Sequence, residues 1–257
     1  MVTRKSRAEI EKMRQAGRIV GEVLDLIAEE LKPGVSTAHL DELAEAHIRR
    51  SGAVPSFKDY PGVNPRRPFP ASVCISIDQE IVHGIPGDRE VKAGQIVSID
   101  VGVIYDGWHG DGARSFICGG EAAGTPEAVR LVQATRLALM AGIAAARPGC
   151  RLGDISAAVE DVALEGRYGI IRQYVGHGIG TSMHEDPNVP NFRTRSPGIE
   201  LAPGHCFAIE PMFTLGTEDT DVLDDGWTVV TADGSLAAHF EHTIAVTASG
   251  PEILTRV

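Results

Sequence analysis

Five residues interrupt apolar runs with a charge or an imidazole: Asp100 in VSIDVGVIY, Asp111 in WHGDGA, His177 in VGHGIG, Glu210 in FAIEPMF and Glu241 in HFEHTIAV. An unpaired carboxylate is costly in such company, as for Glu210 between Ile209 and Pro211. Four carboxylates and one imidazole suit a pair of divalent cations, because carboxylates can bridge and a lone histidine cannot hold two metals. A single buried glutamate is more commonly salt-bridged than metal-bound. Five such residues in one chain favour metal.

Two of the five are placed by one stretch, 95–119. It reads as two strands around a turn at Asp106-Gly107, a strong hairpin signal. With a two-residue loop, Tyr105 faces Trp108, Gly102 faces Asp111 and Asp100 faces Ala113. Side chains alternate along a strand, so Asp100 shares a face with Gly102 and hence with Asp111. The two aspartates are then diagonal neighbours, roughly 7–8 Å apart at the backbone. Val97, Ile99, Val101 and Val103 form the opposite, core-facing side. Like charges placed so repel unless a cation lies between them. From the hairpin alone, a cation site and a solvated outer face fit equally well.

With 257 residues, 43% of them hydrophobic, the chain can bury one large core or two packed halves. A net charge of −11 argues against broad contact with nucleic acid. Cys74, Cys118, Cys150 and Cys206 are scattered without a CxxC pair, which points to a reducing cytoplasm and away from a zinc finger. The opening MVTRKSRAEIEKMRQAG is polar, so no signal peptide is expected. No uninterrupted apolar run approaches the roughly 20 residues that cross a membrane. The expectation is a soluble cytoplasmic protein without a membrane partner.

Ser6 and Glu9 make a capping box, and Ile10, Met13, Gly17, Val20, Leu24, Ile27 and Leu31 follow at helical spacing up to Lys32-Pro33-Gly34. Further helices are predicted over Thr37–Arg50, from Thr125-Pro126 to Arg147-Pro148-Gly149, and over 154–167. Residues 55–70 read as loop, and 72–77 and 80–83 as short strands. His47 reads as a satisfied or surface histidine. Arg4, Lys5 and Arg7 read as a solvated helix end, with ribosome contact as the alternative. Several features recur in order: Lys32-Pro33-Gly34 as Arg147-Pro148-Gly149, His83-Gly84-Ile85 as His177-Gly178-Ile179, Ile99-Asp100 as Ile209-Glu210, and Asp106-Gly107-Trp108 as Asp225-Gly226-Trp227. This predicts two homologous halves, each bringing a His-Gly loop and an acid-tipped strand to a shared cleft.

The runs SVCISI, IVHGIPGD, VSIDVGVIYDGWHGD, GHGIG with His184 seven residues after His177, AIEPM, DGWTVVTADGS and EHTIAVT together resemble one family. It is the methionine aminopeptidases in their bacterial-type class I form, and the resemblance runs from about residue 8 to the C-terminus. It implies the pita-bread fold, a duplicated α/β (α+β) arrangement of antiparallel sheet under covering helices. That would make residues 1–257 one catalytic domain with halves at roughly 6–120 and 125–250. It implies two divalent metals (Co, Mn, Fe, Ni or Zn) held by Asp100, Asp111, His177, Glu210 and Glu241. Asp111 and Glu241 would bridge, with Asp100 on one side and His177 and Glu210 on the other. The implied activity is removal of N-terminal methionine from nascent polypeptides, favouring a small second residue. An activated water attacks the first peptide carbonyl, Glu210 accepts its proton, His184 steadies the oxyanion, and His83 contacts the substrate backbone or departing amine. Tyr60, Phe69, Cys74, Met183 and Trp227 would line the methionine pocket, where Cys74 and Met183 offer polarizable contacts to a thioether. His109 is read as structural. The implied partners are nascent N-termini, with the ribosome a candidate, and the implied state is a monomer.

Two features depart from the family pattern. Tyr60-Pro61-Gly62 is separated from Phe69-Pro70 by the insertion VNPRRP, and position 183, often aromatic in the bacterial enzymes, is methionine. Glu210 follows His177 by only 33 residues, which leaves no room for the class II insertion. Proline-specific relatives share this metal chemistry but usually carry a large N-terminal domain, for which residues 1–5 leave no room. A catalytically dead binding module should have lost ligand residues, and all five are present. A mononuclear iron oxygenase leaves three buried acids unexplained. A dinucleotide site at Gly176, Gly178 and Gly180 fails on spacing.

Overall fold

The computed structural model describes residues 2–62 and 66–257. Residues 63–65, part of the VNPRRP insertion, lie outside the described residues. In chain order the elements are α1 (Arg7–Glu30), α2 (Thr37–Arg50), β1 (Val54–Pro55), β2 (Cys74–Ile77), β3 (Glu80–Val82), β4 (Ile96–Tyr105) and β5 (Trp108–Ile117). The second half of the chain gives α3 (Pro126–Ala145), α4 (Leu152–Gly166), β6 (Gly169–Ile170), β7 (Gly176–Gly178), β8 (Glu185–Val189), β9 (Cys206–Ile209) and β10 (Met212–Thr214). It closes with β11 (Thr220–Val222), β12 (Val229–Thr231), β13 (Ala237–His239), β14 (His242–Thr247) and β15 (Gly250–Ile253).

Local chemistry sets the boundaries. Ser6 Oγ accepts the Glu9 N–H at 3.3 Å while the Glu9 carboxylate accepts the Ser6 N–H at 2.7 Å, the capping box expected for α1. Thr125 caps α3 through the Ala128 N–H, with Pro126 in the first turn. The start of α4 lies two residues before the predicted 154: the Asp154 carboxylate accepts the Arg151 N–H at 2.7 Å, so Asp154 caps from inside the first turn. Strand β2 begins later than the predicted 72 because the Ser72 and Val73 N–H groups donate to Asp41 Oδ1 at 2.8 and 3.0 Å instead of to a ladder. Strand β3 stops at Val82 because His83 turns left-handed, with φ of 61°.

The hairpin β4–β5 has the register read from its sequence, with Tyr105 opposite Trp108, Gly102 opposite Asp111 and Asp100 opposite Ala113. Strand β4 also pairs antiparallel with β1 and β2. A five-stranded sheet runs β15-β14-β9-β7-β8, and two three-stranded sheets run β13-β10-β6 and β11-β12-β3. Two helix pairs cover these sheets. Val20, Val23, Leu24 and Ile27 of α1 pack with Val97, Ile99, Val101 and Val103. Leu139, Ile143 and Ile155 of α3 and α4 pack with Phe207, Ile209 and Ile244. Helix α1 lies close on β5 because glycines meet there: a Cβ on Gly110 would come within 2.6 Å of the Gly17 nitrogen. The sheets join where Ala113 and Glu241 exchange N–H···O bonds of 3.3 and 2.9 Å.

Helix α3 is long and apolar enough to cross a membrane by composition, with a mean hydropathy of 1.3 over its best window. Here it covers the sheet with one face, burying Leu131, Ala138, Leu139, Gly142 and Ile143 against sheet and α4. The basic N-terminal cluster is not uniformly solvated, as the sequence had suggested. Lys5 is buried, and its ammonium donates to Glu185 Oε2 at 2.7 Å and to Thr3 at 2.8 Å, whereas Arg7 is exposed. His47 is satisfied by Glu22 at 3.0 Å.

Candidate active site

The middle of the β4–β5 hairpin and the strands and turn of the second half bring the five acidic and imidazole positions into one cleft. Asp100 comes from β4, Asp111 from β5, His177 from β7, Glu210 from the residue after β9, and Glu241 from the turn between β13 and β14. Asp111, His177 and Glu241 offer ligand atoms that all lie within 4.8 Å of one another. His177 Nε2 is 3.7 Å from Asp111 Oδ2 and 3.6 Å from Glu210 Oε1. The other ring nitrogen, Nδ1, sits 2.9 Å from the Gly178 carbonyl, which fixes the ring with Nε2 facing the acids. Asp111 is held at both backbone ends by Thr243, whose Oγ1 accepts its N–H at 2.9 Å and donates to its carbonyl at 2.8 Å.

The electrostatics are those of a site built for positive charge. Burial, then the Asp111 charge, raises the Asp100 carboxyl well above the usual range. Burial raises Asp111 to about 8. Burial and the neighbouring acids also raise Glu210 and Glu241. None of the residues lining the cleft is lysine or arginine. Asp100 Oδ1, Asp111 Oδ1 and Glu241 Oε1 are buried with no hydrogen-bond partner among the described residues. Orphaned carboxylate oxygens beside a neutral imidazole fit oxygen- and nitrogen-liganded divalent cations.

Beside the acids the cleft is apolar. Tyr60, Phe69, Cys74, His83, Met183, His184 and Trp227, all anticipated from sequence, line the same cavity of about 160 Å³. The insertion does not displace its flanks. Phe69 N–H donates to the Tyr60 carbonyl at 3.0 Å and Asp59 N–H to the Phe69 carbonyl at 2.9 Å, so the two flanks stay bonded to each other. The Trp227 indole N–H donates to the Arg67 carbonyl at 3.0 Å, and its ring meets Phe69 edge-on at 5.2 Å. Gly102 leaves room for this wall: a Cβ there would come within 2.8 Å of Phe57 and 2.9 Å of Met183. His184 lies at the mouth, its ring 4.3 Å from that of His177 and its Nδ1 2.7 Å from the Tyr60 hydroxyl. Partial burial, then the nearby His177, lowers it to about 4. Burial, then His184, lowers His83 likewise to about 4. Left-handed backbone at His83 is a strained conformation for a non-glycine residue.

Sequence reasoning missed three residues here. Phe57 lines the cavity. Tyr174 packs edge-on against His83 at 5.6 Å. His239, fully buried, places an unpartnered Nε2 3.8 Å from Glu210 Oε2. The signal for His239 was its place in the apolar run before Glu241; nothing marked Phe57 or Tyr174. His109 is buried beside the cleft, its Nδ1 3.0 Å from Ser56 Oγ.

Residues 11–248 match the model of metallopeptidase family M24. The chain belongs to family M24. Among its relatives, the methionine aminopeptidase of Clostridium perfringens is 46% identical over the full length of both chains. Methionine aminopeptidase 1 of Mycobacterium tuberculosis is 50% identical, covering 99% of this chain and 95% of its own. The crystal structure of the methionine aminopeptidase from Rickettsia prowazekii superposes with a TM-score of 0.93 at 42% identity, covering 99% of this chain and all of that one. An Xaa-Pro dipeptidase from Bacillus anthracis shares the fold at a TM-score of 0.76 and 23% identity, and this chain covers 62% of it. The M24 chain therefore has the α/β pita-bread architecture, and as a metallopeptidase it is a hydrolase that uses divalent metal.

Proposed function

We infer that this M24 metallopeptidase is a methionine aminopeptidase: it hydrolyses the N-terminal methionine from peptides, preferring a small second residue. The observation that supports this best is a small cleft whose single cavity is lined on one side by the acidic cluster and on the other by sulfur and aromatic side chains. At about 160 Å³ it is far below the roughly 300–1,000 Å³ of drug-sized sites and suits a single unbranched side chain. Sulfur and aromatic groups, Cys74, Met183, Phe69 and Trp227, favour a thioether there.

Asp100, Asp111, His177, Glu210 and Glu241 would hold two divalent cations, with Asp111 and Glu241 contributing to both. When bound, the cations supply Lewis acidity, acidifying a water and polarising the scissile carbonyl. The chain's own groups do the rest. Glu210, whose carboxylate faces His177 across the cleft at 3.6 Å, accepts the proton of the attacking water. With the Tyr60 hydroxyl, 2.7 Å away, as the donor to His184 Nδ1, Nε2–H is the neutral donor toward the developing oxyanion. His83, rigid on its left-handed backbone and also neutral, holds the substrate backbone or the departing amine. The substrate is the N-terminus of a newly made chain, and the enzyme works in the cytoplasm as a monomer. The order of recurring motifs supports an origin by duplication, with halves at 6–120 and 125–250.

The test is release of free methionine from a Met-Ala-Ser peptide by metal-stripped protein after addition of Mn, Co or Fe. Met-Phe-Ser, Ala-Pro-Ser and an Asp111→Ala protein serve as comparisons. Metal-dependent cleavage of Met-Ala-Ser alone, lost in Asp111→Ala, is the expected result. Cleavage of Ala-Pro-Ser instead would transfer the chain to the proline-specific branch.

A further inference from the structure

Behind the strands that carry Asp111 and Glu241 lies a second groove of about 550 Å³, more than three times the volume of the cleft. The two share no lining residue: Phe240 faces the groove and Glu241 the cleft, while Arg114 faces the groove three residues after Asp111. The groove is amphipathic. Leu139 and Met140 of α3 and Phe240 give it an apolar wall, and Arg114, Arg136 and Arg256 give it positive charge.

That charge runs against the molecule as a whole, which carries −11. The three arginines line the groove together with the imidazole of His242. Its Nδ1 is engaged by Thr255 Oγ1 at 2.7 Å. Arg114 reaches Asp25 of α1. Among the described residues, Arg136 and Arg256 meet no carboxylate, and Glu121, the one acid on the groove wall, accepts a bond from Gln133 at 3.0 Å. Three cations against Glu121 and the Asp25 partner of Arg114 leave a net charge of about +1, with Arg136 and Arg256 as the guanidiniums free to meet an anion. Guanidinium groups bind phosphate through paired N–H donors, and a phosphomonoester carries roughly −1.5 to −2 at pH 7.

We propose that this groove binds a phosphomonoester of an apolar or aromatic alcohol. The phosphate sits among Arg114, Arg136 and Arg256, and the organic body lies on Leu139, Met140 and Phe240. The site is independent of the peptidase reading, since none of these residues touches the cleft.

Titration calorimetry of the metal-loaded protein with 1-naphthyl phosphate, inorganic phosphate and 1-naphthol tests it. The naphthyl ester should bind at least tenfold more tightly than either fragment. An Arg136→Ala/Arg256→Ala protein, altered only at exposed side chains and checked by its melting temperature, should bind the ester at least tenfold more weakly while cleaving Met-Ala-Ser normally. Unchanged affinity in that variant would place the ester elsewhere, at the metal cleft above all, and overturn the proposal. Inorganic phosphate binding as tightly as the ester would overturn the apolar half of the site.

Discussion

Replacing Asp111 by asparagine should stabilise the metal-stripped protein while abolishing its response to metal. Asp111 is 3% exposed, and burial raises its carboxyl from 3.8 to about 8. Because the folded value lies above the unfolded one, the folded chain holds an extra proton between pH 3.8 and about 8. Metal-free stability therefore falls as pH rises through that window. pH 7 lies about three units above the group's unfolded value of 3.8, and at ~1.4 kcal/mol per unit the metal-free fold carries a penalty of about 4 kcal/mol there. Asparagine keeps the shape, has no proton to manage, and can donate to the Glu241 carboxylate beside it. For a chain of this size 1 kcal/mol moves the melting temperature by roughly 2–4 °C, so the stripped variant should melt on the order of 10 °C above stripped wild type at pH 7. The gap should close near pH 4. The buried histidines, which lose stability below pH 6.5, are common to both proteins and cancel in the comparison. Added Mn should then raise wild type and leave the variant nearly unmoved, reversing their order. Thermal melts at pH 4, 5.5 and 7 with and without Mn decide this. A stripped variant melting at or below wild type at pH 7 would show that the acids do not crowd as described.

Other substitutions probe the wall and frame of the cleft. His184→Ala should lower kcat for Met-Ala-Ser by roughly 10²–10⁴ with little change in KM, since its donor acts on charge that develops during reaction; equal effects on both constants would make it a binding group. Gly102→Ala should raise KM and cost about 1–3 kcal/mol, because the new methyl meets Phe57 and Met183 at under 3 Å; an unchanged KM would remove Gly102 from the pocket wall. Arg89→Ala should cost about 2 kcal/mol in urea melts, because the buried Glu80 carboxylate loses both bonds of 2.6 and 2.7 Å from that guanidinium while half-open surroundings soften the loss; a neutral substitution would mean that water replaces the arginine.

The hairpin was legible because its signals are local. A two-residue Asp-Gly turn fixes register, register fixes faces, and the faces put Asp100 beside Asp111 before any tertiary contact is known. The helix starts at Ser6 and Thr125 were legible for the same reason. Misplaced boundaries arose where a distant group intervened: Asp41 captures the N–H groups of Ser72 and Val73 from another element, and no pattern within 72–77 carries that information. Lys5 was misread because its partner Glu185 lies 180 residues away. Within the cleft, Phe57 and Tyr174 looked like ordinary apolar or loop residues. The groove was invisible, since Arg114, Arg136 and Arg256 come from three separate segments and no spacing joins them.

What the sequence pattern could not express is why the acids stay together when they repel. Flexible carriers would let Asp100, Asp111, Glu210 and Glu241 move apart and hydrate, leaving little to be gained from a cation. Here Asp111 is pinned at its N–H and its carbonyl by one threonine, and Glu241 at the same two groups by Ala113. Each of the residues assigned as bridges is thus clamped across the junction between the sheets by reciprocal bonds that side-chain repulsion cannot open cheaply. The frame holds the carboxylates in a poor metal-free arrangement, with oxygens that lack partners, so the stability withheld there is recovered when divalent charge enters. Thr243→Val, which removes both bonds to Asp111 while keeping the side-chain volume, should therefore weaken Mn binding at least tenfold in calorimetry. If affinity were unchanged, the clamp would have no part in assembling the site.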